Sequence, residues 1–161
     1  MDVSLRFLSY VRQMKHAFTM AFAVCVAALA APASAAPNPC TLVTPAEAAR
    51  ALGTSVLPAK PDPSSENTEC RYYNAAKNEN VVVQVHHNVS DFPDSLLTVK
   101  GPGIQRLPQI GPKAVLASNL VWFVKRGTYV TVGIAKNNNM AADPKLNAAL
   151  IKLGTIAASR M

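Results

Sequence analysis

From Val81 to Asn88 the chain reads VVVQVHHN, and its parity sorts these residues onto two faces. Val81, Val83, Val85 and His87 share one face, and Val82, Gln84, His86 and Asn88 share the other, because successive strand side chains point to opposite sides. One face is apolar and the other mostly polar, as in an antiparallel sheet wet on one side. Leu120–Lys125 (LVWFVK) and Thr128–Ile134 (TYVTVGI) form a hairpin that turns at Arg126-Gly127. The first of them is apolar on both faces, which predicts a central strand or one facing a second layer. Cys70–Tyr73 and Ala114–Ala117 read as further strands, and Ser55–Leu57 as a short one.

Helical signals stand at the two ends of this pattern. Thr44-Pro45-Ala46-Glu47 places a capping hydroxyl, a proline in the first helical position and a glutamate able to cap in return. Ala46, Ala48, Ala49 and Leu52 follow, and Gly53 can take the left-handed stop. Near the C-terminus, after Asp143-Pro144, Leu146, Ala149, Leu150, Leu153 and Ile156 recur at helical spacing, an apolar stripe that should lie on the sheet. Asp91 to Lys100 reads as a brief helix cramped by Pro93. Pro58–Glu69 has prolines and polar residues without periodicity, and reads as a loop. The order predicts an α+β fold: an antiparallel sheet of about five to six strands with an N-terminal and a C-terminal helix packed on one face.

Ahead of this pattern, residues 17–36 read AFTMAFAVCVAALAAPASAA, preceded by Arg12 and Lys15. A basic start, an apolar centre and a small-residue end make a secretory signal peptide, with Ala33-Ser34-Ala35 as the cleavage motif. The uncharged run before Pro32 is shorter than the ~20 apolar residues of a spanning helix. Residues 1–35 are therefore expected to be the signal, with Met14 as a second candidate start, and residues 36–161 a single exported domain. Membrane contact is expected only through the signal before cleavage.

Of the three cysteines, Cys25 lies in the apolar heart of that signal, leaving Cys40 and Cys70. A lipid anchor needs a small residue before the modified cysteine, and Cys40 follows Pro39, so the protein is not expected to be a lipoprotein. Zinc needs about four ligands, usually including close cysteine pairs. A nucleophilic cysteine needs a base, and His86 and His87 stand in no known protease context. A disulfide between Cys40 and Cys70 is the reading that remains, in keeping with an oxidising compartment.

Four stretches, PNPCTLVTPAEAARALG, ECRYY, LPQIGPKAVLASNLVWFVKRGTYVTVGIA and the Lys/Leu/Ala-rich last helix, resemble a family of small exported bacterial domains of unknown function, many of them actinobacterial lipoproteins. The pattern is an opening Pro-Cys, a Leu-x-Thr helix cap, a Cys-x-Tyr strand, a Gly-rich segment and a final hairpin. The resemblance spans nearly the whole exported part and implies paired cysteines and an α+β fold. It implies no catalytic residues. Two departures stand out: no lipobox is present, and Ile110-Gly111-Pro112-Lys113-Ala114 lacks the acid the relatives typically carry there.

From residue 36 onward thirteen Lys and Arg face eight Asp and Glu, spread along the chain with Lys125-Arg126 the only adjacent pair. Nucleic-acid binders cluster such residues, so no nucleic-acid partner is expected. His86 and His87 point to opposite faces and cannot readily share a metal; neither metal nor cofactor is expected. No G-x-S-x-G elbow accompanies Ser90, and the Gly-Pro segments lack the phosphate-binding fingerprints. Asn88-Val89-Ser90 matches a glycosylation sequon that a bacterial origin would leave idle. Gln84, His86, Trp122 and Tyr129 are the candidate binding face, since outward aromatics on a sheet suit a protein or glycan partner, with core packing as the alternative for the aromatics. These readings favour a non-catalytic module for a protein or cell-envelope component. The alternative is a small hydrolase or ligand-handling protein with an unrecognised site.

Overall fold

The computed structural model describes residues 36–62, 67–136 and 144–161. The expected signal, residues 1–35, and the polar turn after Lys136 lie outside these residues. So do Glu66 and Asp143.

Helix α1 (Pro39–Leu42) is a single turn capped by the Asn38 side chain, and α2 (Pro45–Leu52) begins with the expected reciprocal cap. Thr44 Oγ1 accepts from the Glu47 backbone N–H, while Glu47 accepts from the Thr44 N–H at 2.8 Å. Gly53 ends α2 in the left-handed region at φ 73°, where a side chain would be strained.

Seven strands follow: β1 (Pro61–Asp62), β2 (Asn67–Tyr73), β3 (Glu79–His86), β4 (Gln105–Arg106), β5 (Ala114–Ala117), β6 (Leu120–Lys125) and β7 (Thr128–Lys136). They form one antiparallel sheet in the order β1-β2-β3-β7-β6-β5-β4. The fold class is the expected one, but seven strands replace five to six. The added strands are two-residue edges, β1 and β4, too short to carry any periodicity. β1 and the first residues of β2 occupy part of the stretch expected to be loop. The strand expected at Ser55–Leu57 is a single bridge from Val56 to Asn74. The hairpin β6–β7 turns at Arg126-Gly127 as expected, and Ser118-Asn119 makes a second one between β5 and β6. Both have two consecutive positive φ angles, which match the right-handed twist of paired strands.

The last helix, α3 (Pro144–Ser159), packs with α1 and α2 on one face of the sheet. Between them lie Val81, Val83 and Val85 of β3, Val121 and Phe123 of β6, and Val130, Val132 and Ile134 of β7, all fully buried. Cys70, also fully buried, bonds Cys40 with Cα atoms 5.2 Å apart, so α1 is tied to β2. The Tyr72 hydroxyl, beneath the same helix, points at the carbonyls of Cys40 and Val43. No helix among the described residues is long and apolar enough to cross a membrane.

Gly154 sets how closely α3 approaches β6. A Cβ there would stand 2.6 Å from Val121 Cγ1 and 3.2 Å from Ile110 Cδ1. Val121 is fully buried and its own Cβ also lies 3.2 Å from that position, so a change of rotamer alone does not clear the contact. Gly154→Ala gains about 1 kcal/mol of helix propensity but sets it against overpacking of 1–3 kcal/mol. Urea unfolding is expected to show a net loss of about 1 kcal/mol; a stabilised variant would contradict this packing.

The second face of the sheet is covered at one end. Asp91 to Lys100 is not one helix but two 3₁₀ turns, Val89–Asp91 and Asp94–Leu97, parted by Phe92-Pro93, because proline disfavours helical backbone in the residue before it. Phe92 closes over Val115 and Tyr129 in a smaller cluster, joined by Leu96, Leu97, Ile104, Trp122 and Val124. This is the second layer that the two-sided apolar pattern of β6 called for. Lys113, in the Gly-rich segment, makes an exposed 2.8 Å ion pair with Asp94 at the edge of the same layer.

Candidate functional site

All four candidate residues fall on this second face. Trp122, Thr131, Gln84 and Glu69 stand directly opposite one another on β6, β7, β3 and β2. His86 is opposite Tyr129 one row away. Arg71, two residues from Glu69, points to the same side.

The polar members form a chain whose proton positions follow from one end. Glu69 only accepts, and it takes two bonds from Arg71, Nε and Nη2 at 3.1 Å. It takes a third from Gln84 Nε2 at 3.0 Å, which orients the amide. Gln84 Oε1 then faces Thr131 and accepts its hydroxyl proton at 3.2 Å. Thr131 Oγ1 is left to accept from His86 Nε2 at 3.3 Å, so His86 carries its proton on that nitrogen. Thr131 is buried, and the rest are half-buried. Burial holds the His86 pKa below the ordinary histidine value against the opposite pull of Asp91, so the ring is neutral at pH 7.

The aromatic members pack on one another. His86 stacks on Tyr129 with ring centroids 3.8 Å apart, Trp122 lies nearly parallel to Tyr129 at 6.2 Å, and Phe92 meets Tyr129 edge-on at 5.4 Å. Tyr129 is 1% exposed, and burial raises its hydroxyl pKa, so it supports the face from beneath and is not itself presented. Core packing is the role the structure gives that ring. Trp122 is half-buried, with its indole N–H donating to the Ala117 carbonyl at 3.3 Å. Farther along this face Asn80 is buried with its Oδ1 lacking a hydrogen-bond partner.

Three polar residues of this face lay outside the candidate set: Glu69, expected at the end of a polar loop, and Arg71 and Thr131. Parity alone places the first two, since they flank the buried Cys70. Thr131 needed the register of β3 on β7. His87, which shares its parity with the buried valines, lies past the end of β3, exposed, beside Thr68.

The arrangement can hold a partner by hydrogen bonds and apolar contact, and it offers little for covalent chemistry. Ser90 donates to Asn88 Oδ1 at 2.8 Å and not to a histidine, and Glu69 is occupied by Arg71 and Gln84. Among the described residues no group of three or more His, Cys, Asp or Glu is placed to hold a metal ion. Comparison of the chain with protein-family models, curated proteins and solved structures finds no match.

Proposed function

We propose that the protein is an exported, non-catalytic binding module that presents the second face of its sheet to a protein or cell-envelope component. One observation carries this reading. Half-buried Gln84, His86, Glu69 and Arg71 are held on one face by bonds to each other and to Thr131, and Trp122 beside them by its bond to the Ala117 carbonyl, so a partner meets side chains already ordered. Preordered groups lose less rotamer freedom on association. The Glu69–Arg71 pair is internally neutralised, so this part of the face suits an uncharged, hydrogen-bonding surface. Export is supported by the leader pattern and by the Cys40–Cys70 bond, which an oxidising compartment preserves.

Trp122 is the only tryptophan, so its emission reports on the face directly. Proteins and glycans purified from the envelope fractions that the immobilised protein retains, chosen or prepared free of tryptophan, are expected to shift that emission saturably, and Gln84→Ala with Arg71→Ala to weaken the response roughly tenfold, about 1.4 kcal/mol. A response from no fraction, or one indifferent to these substitutions, overturns the proposal. Turnover of a small ester by the purified protein would favour the hydrolase reading instead.

A further inference from the structure

The opposite layer holds a concavity of about 90 Å³ between α2 and α3. Its floor is apolar: Ala51 from α2, and Ala149, Leu153 and Ile156 from α3. Arg50 and Lys152 stand at its rim, both exposed.

The volume decides what kind of ligand belongs here. Pockets for cofactors and substrates run to roughly 300–1,000 Å³, and a cavity of about 150 Å³ is filled by benzene. A concavity of about 90 Å³ matches one aliphatic side chain and is too small to enclose a cofactor. Small pockets of this kind seat the anchoring residue of a protein partner.

The charge decides its chemistry. Glu47 is the only acid in either helix, and its carboxylate is already taken by both Arg160 nitrogens at 2.8 Å and by Thr44. The rim is left cationic. The groove is also held in shape, because the Glu47–Arg160 pair spans from α2 to the end of α3 and Arg160 bonds the Leu42 carbonyl at 2.9 Å. A preformed groove reorganises little on binding.

We propose that the α2–α3 groove docks an acidic protein segment, which seats one aliphatic side chain on Ala149 and Ile156 while its carboxylates meet Arg50 and Lys152. The surface is separate from the sheet face, so one can fail without the other. Binding here depends on salt, since both cations are solvent-exposed and screened within about a Debye length.

The test uses a labelled, blocked Asp-Asp-Leu-Asp-Asp peptide, with fluorescence anisotropy for affinity and NMR shifts for location. Saturable binding is expected at low salt, weaker at physiological salt, with shifts confined to α2 and α3. Lys152→Glu, at an exposed position, and leucine-to-alanine in the peptide are each expected to weaken it roughly tenfold. Ala149→Leu, which fills the groove, is expected to do the same. No binding, binding unchanged by Lys152→Glu, or shifts centred on Trp122 each overturn the proposal. Anionic phosphatidylglycerol vesicles that bind at Lys152 where the peptide does not would also overturn it, in favour of a membrane surface.

Discussion

Reducing the Cys40–Cys70 bond, or replacing the pair as Cys40→Ser with Cys70→Ala, is expected to lower the unfolding free energy by roughly 3–4 kcal/mol. The bond closes a loop of 30 residues, and opening it returns that much conformational freedom to the unfolded chain. Against a total stability of about 5–15 kcal/mol for an ordinary domain, such a loss is large. The folded sheet is expected to survive it. Strand β2 is paired on both sides, and α1 keeps two other attachments, the Tyr72 hydroxyl on its carbonyls and Arg160 on that of Leu42. Alanine is chosen at position 70 because a serine hydroxyl there would be buried without a partner. Urea unfolding of the oxidised and reduced protein, followed by the single tryptophan, measures the difference. A shift below about 1 kcal/mol would mean that the unfolded chain is already held compact between residues 40 and 70.

What the sequence made legible is what short-range chemistry decides. The cap at Thr44–Glu47, the stop at Gly53, the turn at Arg126-Gly127 and the extent of β5 all follow from residues within a few positions of each other. The parity of β3 was equally plain, because its buried face is all valine. The edge strands β1 and β4 were not legible, since two residues have no period and each pairs only through its neighbour. Tyr129 was ambiguous for a related reason. β7 is buried on both faces, under α3 on one side and under Phe92 on the other, so its alternation could not say which side was wet. The candidate face was half legible: Gln84 and His86 follow from parity, but their bonds to Thr131 depend on a pairing forty-odd residues distant. The groove between α2 and α3 was not legible at all. Its walls come from opposite ends of residues 36–161, and only folding brings them together.

Glu47 joins those ends, and its substitution is expected to show in stability and in pH dependence together. The Arg160 guanidinium beside it, opposed in part by burial and assisted by the Thr44 cap, holds its pKa down from 4.5 to about 2. A carboxyl whose folded pKa is depressed stabilises the fold above the unfolded value and loses that contribution as pH falls toward the folded one. The window is therefore pH 4.5 down to about 2. At 1.36 kcal/mol per pH unit the full shift would exceed 3 kcal/mol, but Arg160 is a third exposed, and solvent screening brings the expectation to about 2 kcal/mol. Glu47→Gln keeps an acceptor for the Thr44 N–H and removes the charge, so it is expected to lose most of this at pH 7 and to unfold with a flatter acid profile. Glu47→Ala also removes the acceptor for the Thr44 N–H while leaving the Thr44 hydroxyl cap in place, costing about 1 kcal/mol more. Urea midpoints of the wild type and Glu47→Gln, compared from pH 6 to pH 2, isolate the one group from every other carboxyl. The two curves should converge as pH falls, whereas parallel curves would mean that Arg160 contributes nothing to holding α2 against α3.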